Sequence, residues 1–307
     1  MSTSRHSTPE GPILHWVGLE TDLIFSRGID LPGFASYPLL DDPETHEMLR
    51  GDYQALADFA REEGVCIMLD ALTWVASRDR GRELGYSPER LAESNRKAVR
   101  LITEVRDANP DANLILSGQM GPRGDGYEVG DQMTVAEAET FHGEQMGVLS
   151  EAGVELVNAF TMTYAAEAAG IARAARARGI PVVIAFTVET DGRLPDGTNL
   201  ADAIEQVDAT SESYPSYFLV NCAHPEHLAP ALDGDVRLNR LAGLVSNASR
   251  CSHEELDNAE ELDAGDPEEL GQQIGDLARA NPNFRVFGGC CGTDFRHLRA
   301  MARNLKE

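Results

Sequence analysis

The sequence predicts a single (β/α)8 TIM barrel of the α/β class, on three observations. Eight short apolar, β-rich runs alternate with longer stretches of helical period, the pattern of repeated βα units. The chain has 307 residues, somewhat above the ~250 typical of one such barrel and enough to bury a core of substantial size. The first βα turn also lacks the glycine-rich fingerprint of a dinucleotide-binding open sheet.

In chain order the strands are expected at ILHWVGLE (13–20), VCIMLD (65–70), NLILSG (113–118), VELVNAF (154–160), PVVIAFTV (181–188), YFLVNC (217–222), LAGLVSNA (241–248) and FRVFGG (284–289). Helices follow near 52–63, 88–108, 134–151, 165–178, 199–209, 225–232, 267–280 and 294–305. Ser87-Pro88, Thr134 and Asp266-Pro267 mark three of their starts, because a capping side chain satisfies free backbone N–H groups and proline fits the first turn. The polar residues 1–12 are expected to form a disordered or loosely packed extension, and 13–307 the barrel domain. The acidic segment 252–269 reads as a surface loop leading into a helix and not as a domain boundary.

Composition narrows the function classes. Lys+Arg total 26 against 51 Asp+Glu, a formal charge of -25, and Lys97 and Lys306 are the only lysines. Such a surface repels nucleic acid and anionic membrane. The N-terminal residues lack the apolar stretch of a signal peptide, and no run approaches the ~18 apolar residues of a membrane span. The chain therefore reads as cytoplasmic. Five cysteines, two of them adjacent, do not look like a secreted disulfide framework, and a reducing cytosol favours reading them as metal ligands or buried thiols.

In a (β/α)8 barrel the chemistry sits at the carboxyl ends of the strands. Cys222 ends strand six in FLVNCAHP and Cys290-Cys291 end strand eight in VFGGCCGTD, so all three fall on one rim; Cys66 opens strand two and belongs at the opposite end. Three soft thiolates suit zinc, which leaves a fourth position open when catalytic. Adjacent cysteines supply two ligands only if the backbone turns sharply, and Gly288, Gly289 and Gly292 permit that turn. A thiol in the fourth position loses its proton and becomes a nucleophile at neutral pH. Taken alone, Cys222 reads equally as a small buried hydrophobe. Cys290-Cys291 has a vicinal disulfide as its alternative, and Cys251 reads as structural.

The motifs GLETDL, VNCAHP and GGCCGTD, with supporting stretches at 73–99, 117–127 and 186–198, resemble the homocysteine S-methyltransferase family over nearly the whole chain. The resemblance implies a zinc-dependent S-methyltransferase. Zinc on Cys222, Cys290 and Cys291 holds an acceptor thiol, homocysteine giving methionine, for attack on a sulfonium or ammonium methyl donor, with S-methylmethionine or S-adenosylmethionine favoured. The partners it implies are that small-molecule thiol and donor. Asn221 matches the residue before the first ligand, where it orients the loop, donates to a ligand sulfur or simply ends the strand. Gly18, Glu20, Thr21, Thr161, Glu189 and Asn221 are the candidate acceptor-binding residues.

The pattern also departs from the family. Where the family carries Asp-Gly-Gly after strand one, this chain has Trp16, Val17 and Gly18, and where it has Glu-Thr after strand four, this chain reads Phe160-Thr161. Both lost acids are associated with the acceptor's ammonium group, which is costly to bury without a carboxylate. Either Glu20 and Glu189 replace them or the acceptor is another thiol. A barrel that binds zinc and thiol without turnover is the rival from another class. His224 and His227 read as the start of helix six, facing outward, with a fourth ligand or a base as the alternative. Gly121, Gly124 and Gly126 border a donor pocket or form an ordinary loop, and Trp74 and Tyr127 wall the pocket or pack.

Overall fold

The computed structural model describes residues 11–306 apart from 233 and 260, so the expected extension at 1–12 lies almost wholly outside the described residues. Eight parallel strands close into a barrel in sequence order, with β1 hydrogen-bonded to both β2 and β8. They are β1 Ile13–Trp16, β2 Cys66–Asp70, β3 Leu114–Met120, β4 Leu156–Met162, β5 Val182–Phe186, β6 Tyr217–Ala223, β7 Leu241–Ser246 and β8 Val286–Gly289. Each expected run overlaps its strand, with β3 and β4 extending two residues and β6 one residue past the expected end, and the fold is a (β/α)8 barrel.

The expected caps form. Ser87 Oγ accepts from Arg90 N, Thr134 and Glu137 make a capping box, and Asp266 caps the helix Pro267–Ala280. The first large helix runs Pro43–Glu63 and so begins nine residues before the expected 52. Asp42 accepts from Glu44 N and Thr45 N ahead of Pro43, a cap-and-proline start of the same kind as Asp266-Pro267. Within 252–269 a short helix, His253–Asp257, opens on a Ser252–Glu255 capping box. No helix of the described residues is long and apolar enough to cross a membrane.

Alternation along the strands sorts side chains into two layers. Leu14, Trp16, Val182, Ile184 and Phe186 join the large core between strands and helices, whereas Ile13, Val17, Val183, Ala185, Leu219 and Val245 pack inside the barrel with Cys222 and Cys290. Trp16 thus faces the helices, where it packs on Phe295 and donates from Nε1 to Thr293 O. It is Val17 that reaches the barrel mouth.

Two strands break the alternation where the site begins. β4 shifts register between Ala159 and Met162, and β6 between Asn221 and Ala223. At the centre of each shift stands a non-glycine residue in the left-handed region, Thr161 at φ 63° and Cys222 at φ 51°. Such a bulge turns two successive side chains to the same side. Phe160 with Thr161, and Asn221 with Cys222, all line one cavity at the mouth.

Candidate metal centre

The Sγ atoms of Cys222, Cys290 and Cys291 lie within 4.8 Å of one another, a group able to hold a metal ion. Cys222 Sγ and Cys290 Sγ are 2.7 Å apart, and all five cysteines are free, so the vicinal disulfide does not form. Cys66 lies at the start of β2 beside Ile13, at the far end of the barrel, where burial pushes its thiol up to about 12. Cys251 stands outside the group.

The turn that presents two adjacent cysteines is tied on every side. Cys290 N donates to Ser246 O, Ala248 N to Cys291 O, Thr293 Oγ1 to Cys290 O and Gly292 N to Thr21 Oγ1. Gly292 takes a left-handed φ of 80°, which favours glycine. A Cβ on Gly18 would come 2.4 Å from Cys290 O, so the first βα loop lies against the turn only because that residue is glycine. Gly18 and Thr21 therefore brace the Cys290-Cys291 turn.

Cys222 is held from the other side. Its strained conformation, of a kind that costs about 1–3 kcal/mol, is fixed by its carbonyl, which accepts from His253 Nε2 at 2.8 Å and Asn247 Nδ2 at 3.1 Å. Asn221 and Thr161 clamp each other: Thr161 N donates to Asn221 Oδ1 at 2.7 Å and Asn221 Nδ2 to Thr161 Oγ1 at 2.8 Å. Thr161 Oγ1 in turn points at Cys222 Sγ, 3.9 Å away. Asn221→Ala leaves the buried Thr161 N without its partner and takes away the donor to Thr161 Oγ1, so it is expected to lower stability by about 1–3 kcal/mol, read by urea unfolding. An unchanged midpoint would mean that the clamp does nothing.

The three thiols share protons. Hydrogen bonds from Cys222 and Cys290 hold Cys291 well below the usual thiol range, and Tyr127 Oη, 3.7 Å from Cys291 Sγ, adds to this. Cys290 is pushed well above that range by its hydrogen bonds to Cys222 and Cys291 and by burial.

Beside the sulfurs lies a cavity of about 390 Å³ walled by Val17, Phe34, Trp74, Tyr127 and Phe160, with Glu20 as its one carboxylate. Glu20 accepts from Ser36 Oγ at 2.7 Å. Burial pushes its carboxyl up to about 7 against that hydrogen bond, with Cys291 and Asp70 adding to the rise. Trp74 and Tyr127 are thus walls of the cavity. Gly121 and Gly126 lie against the Trp74 ring, where added Cβ atoms would come 2.7 and 3.5 Å from it. Glu189 is not among the lining residues; it pairs with His253 Nδ1 at 2.9 Å.

His224 and His227 are buried, contrary to the expected outward orientation. His224 caps the turn Pro225–Leu228, where burial and the nearby Arg250 lower its pKa to about 4, and His227 Nε2 donates to Arg250 O. Neither belongs to the cysteine group. His253, behind the site, was not expected from the sequence, although the Ser252–Glu255 spacing marks the helix start that carries it.

The family model described as homocysteine S-methyltransferase matches residues 28–305. The chain belongs to the homocysteine S-methyltransferase family. A family relative, Homocysteine S-methyltransferase 4 of Zea mays, is 25% identical over 270 residues, covering 80% of this chain and 77% of its own. The crystal structure of the homocysteine methyltransferase MmuM from Escherichia coli in its metallated form matches with a TM-score of 0.73 at 20% identity, over 96% of each chain. Its apo form matches at 0.67, with 20% identity over 97% of this chain and 96% of that one. Like its family, the chain is a methyltransferase enzyme. The family match begins at residue 28, beyond Trp16, Val17 and Gly18. Within the matched part, Phe160 stands in the cavity wall.

Proposed function

We propose that residues 13–307 form one catalytic unit that methylates homocysteine to methionine on a zinc ion held by Cys222, Cys290 and Cys291. The observation that carries the reading is the convergence of three thiols from two strand ends beside a cavity with one carboxylate. An all-sulfur donor set fits zinc. Zinc bound there lowers the pKa of the acceptor thiol, which supplies a nucleophile at neutral pH.

The chain's own residues do the rest. Val17, Phe160 and Trp74 enclose the acceptor's methylene groups. Glu20, at a position facing the cavity that the lost acids leave unserved, takes the ammonium group. Asn221 and Thr161 act on the acceptor site by fixing Cys222, and Gly18 and Thr21 by fixing the Cys291 turn; Glu189 acts through His253. All five cysteines are free, which suits a reducing cytoplasm.

A wider cleft of about 1210 Å³ opens outward from Cys291, Trp74 and Tyr127 and carries Asp125, Asp257, Glu261 and Asp263. Burial and the neighbouring Asp125 push the Asp257 carboxyl up. An acid-rich cleft with aromatic walls favours a cation and disfavours an anionic folate, which supports S-methylmethionine or S-adenosylmethionine as donor. The test is methionine formation from homocysteine with S-methylmethionine, S-adenosylmethionine, a betaine and a methylated folate. Turnover with a sulfonium donor is expected; turnover with the folate alone would contradict the reading.

A further inference from the structure

The imidazole of His253 is 4% exposed and touches three parts of the site at once. Its Nε2 donates to Cys222 O at 2.8 Å, its Nδ1 faces Glu189 Oε1 at 2.9 Å, and its ring stacks on Tyr127 with centroids 4.2 Å apart and planes 21° from parallel. Tyr127 carries its hydroxyl to 3.7 Å from Cys291 Sγ. One side chain from the loop after β7 thus reaches the backbone of the strand-six cysteine and the ring that touches a strand-eight cysteine.

We propose that His253 is a positioning residue of the metal centre, which sets the direction of Cys222 Sγ by holding that residue's carbonyl. The proposal rests on the reading of the three cysteines as metal ligands. A non-glycine residue in the left-handed region reverts to extended backbone unless its surroundings over-determine it. In β6 the extended form would restore alternation and turn one of Asn221 and Cys222 away from the mouth. His253 and Asn247 are the groups that grip the Cys222 carbonyl. Asn247 directly follows the last residue of β7, whereas His253 is anchored from behind by Glu189, three residues past the end of β5. The Glu189 carboxylate therefore serves the site by orienting the ring, as outer hydrogen-bond partners orient ligands in metal sites generally.

Two amide substitutions separate the two edges of the ring. In His253→Gln the side-chain nitrogen stands where Nε2 stands and donates to Cys222 O; in His253→Asn it reaches only the Nδ1 position, toward Glu189. The full-length protein is stripped of metal, reloaded with Co²⁺, and titrated against a chelator at a temperature where each variant is folded. The thiolate-to-cobalt charge-transfer absorption reports sulfur ligation. His253→Asn is expected to weaken Co²⁺ binding about 10–100-fold, the usual loss on removing an outer partner of a metal ligand, with a diminished thiolate band. His253→Gln is expected to stay close to wild type. A merely structural histidine would lower the thermal midpoint of both variants and leave the affinity of the folded protein unchanged. Equal Co²⁺ affinity in the two variants overturns the proposal while the wild type binds metal; a wild type that binds no Co²⁺ overturns the metal reading itself.

Discussion

Cys290→Ser is expected to leave the barrel folded and to reduce kcat/KM for methyl transfer to below about one thousandth of wild type, a loss of about 4 kcal/mol in transition-state stabilisation. Cys290 is 3% exposed and its backbone is tied independently of its sulfur, through Cys290 N to Ser246 O and Thr293 Oγ1 to Cys290 O. Serine preserves those bonds and the volume of the side chain. What changes is the donor atom: a hydroxyl is a far poorer ligand than a thiolate for a soft-ligand site. With two sulfurs left, the site no longer holds the metal against dilution, and the acceptor thiol keeps its proton. Zinc content, circular dichroism and initial rates on the same sample separate loss of metal from loss of fold. A Cys290→Ser protein without zinc but with normal rates would remove the metal from the reaction.

Glu20→Gln has the second largest expected effect, and its sign differs between activity and stability. If Glu20 takes the acceptor's ammonium, removing one partner of a buried charge pair costs about 2–5 kcal/mol. kcat/KM for homocysteine then falls at least about 30-fold, while the rate with 4-mercaptobutanoate, which has no ammonium group, holds steady. Equal losses on both thiols would show that Glu20 does not read the ammonium. An enzyme that prefers the deaminated thiol before any substitution would assign the pocket to another acceptor, the reading that Phe160 and the lost acids favour.

Stability moves the other way. In the empty cavity the Glu20 carboxyl is raised from 4.5 to about 7, chiefly by burial. A carboxyl with a raised folded-state pKa contributes stability that is fully present below the unfolded pKa and lost as pH rises through the folded one. Above pH 7 its charged form therefore costs the acceptor-free fold about 3 kcal/mol. Glu20→Gln should be the more stable protein at pH 8, by up to about that amount, and the two should converge towards pH 5 in thermal unfolding. A Glu20 carboxylate that serves the acceptor is thus kept at a cost to the fold, as is common where function and stability compete.

The barrel was legible because its signal repeats. Eight apolar runs each bounded by a helical stretch leave little room for error in strand existence, and the rim rule then placed Cys222, Cys290 and Cys291 together although 68 residues separate the first two. The details that needed the structure are those in which backbone departs from its period. Nothing in Asn221-Cys222 or Phe160-Thr161 announces a left-handed residue, since neither pair contains glycine. Strand alternation predicts that only one member of each pair faces the mouth. Trp16 shows the reverse case, in which a position matched by motif proves to face the helices because β1 keeps its alternation. His224 and His227 depart from the expected outward orientation because the loop after β7 covers this helix start through Arg250. His253 had a readable local signal in Ser252–Glu255, but its contact with Cys222 is a tertiary fact.

The most direct test of the account is X-ray absorption at the zinc edge on the purified wild-type protein before and after homocysteine is added. The three-thiolate site predicts one zinc per chain with three protein sulfurs, and a fourth sulfur neighbour once the thiol is present. A protein without stoichiometric zinc, or a sulfur count that homocysteine does not raise, would contradict it.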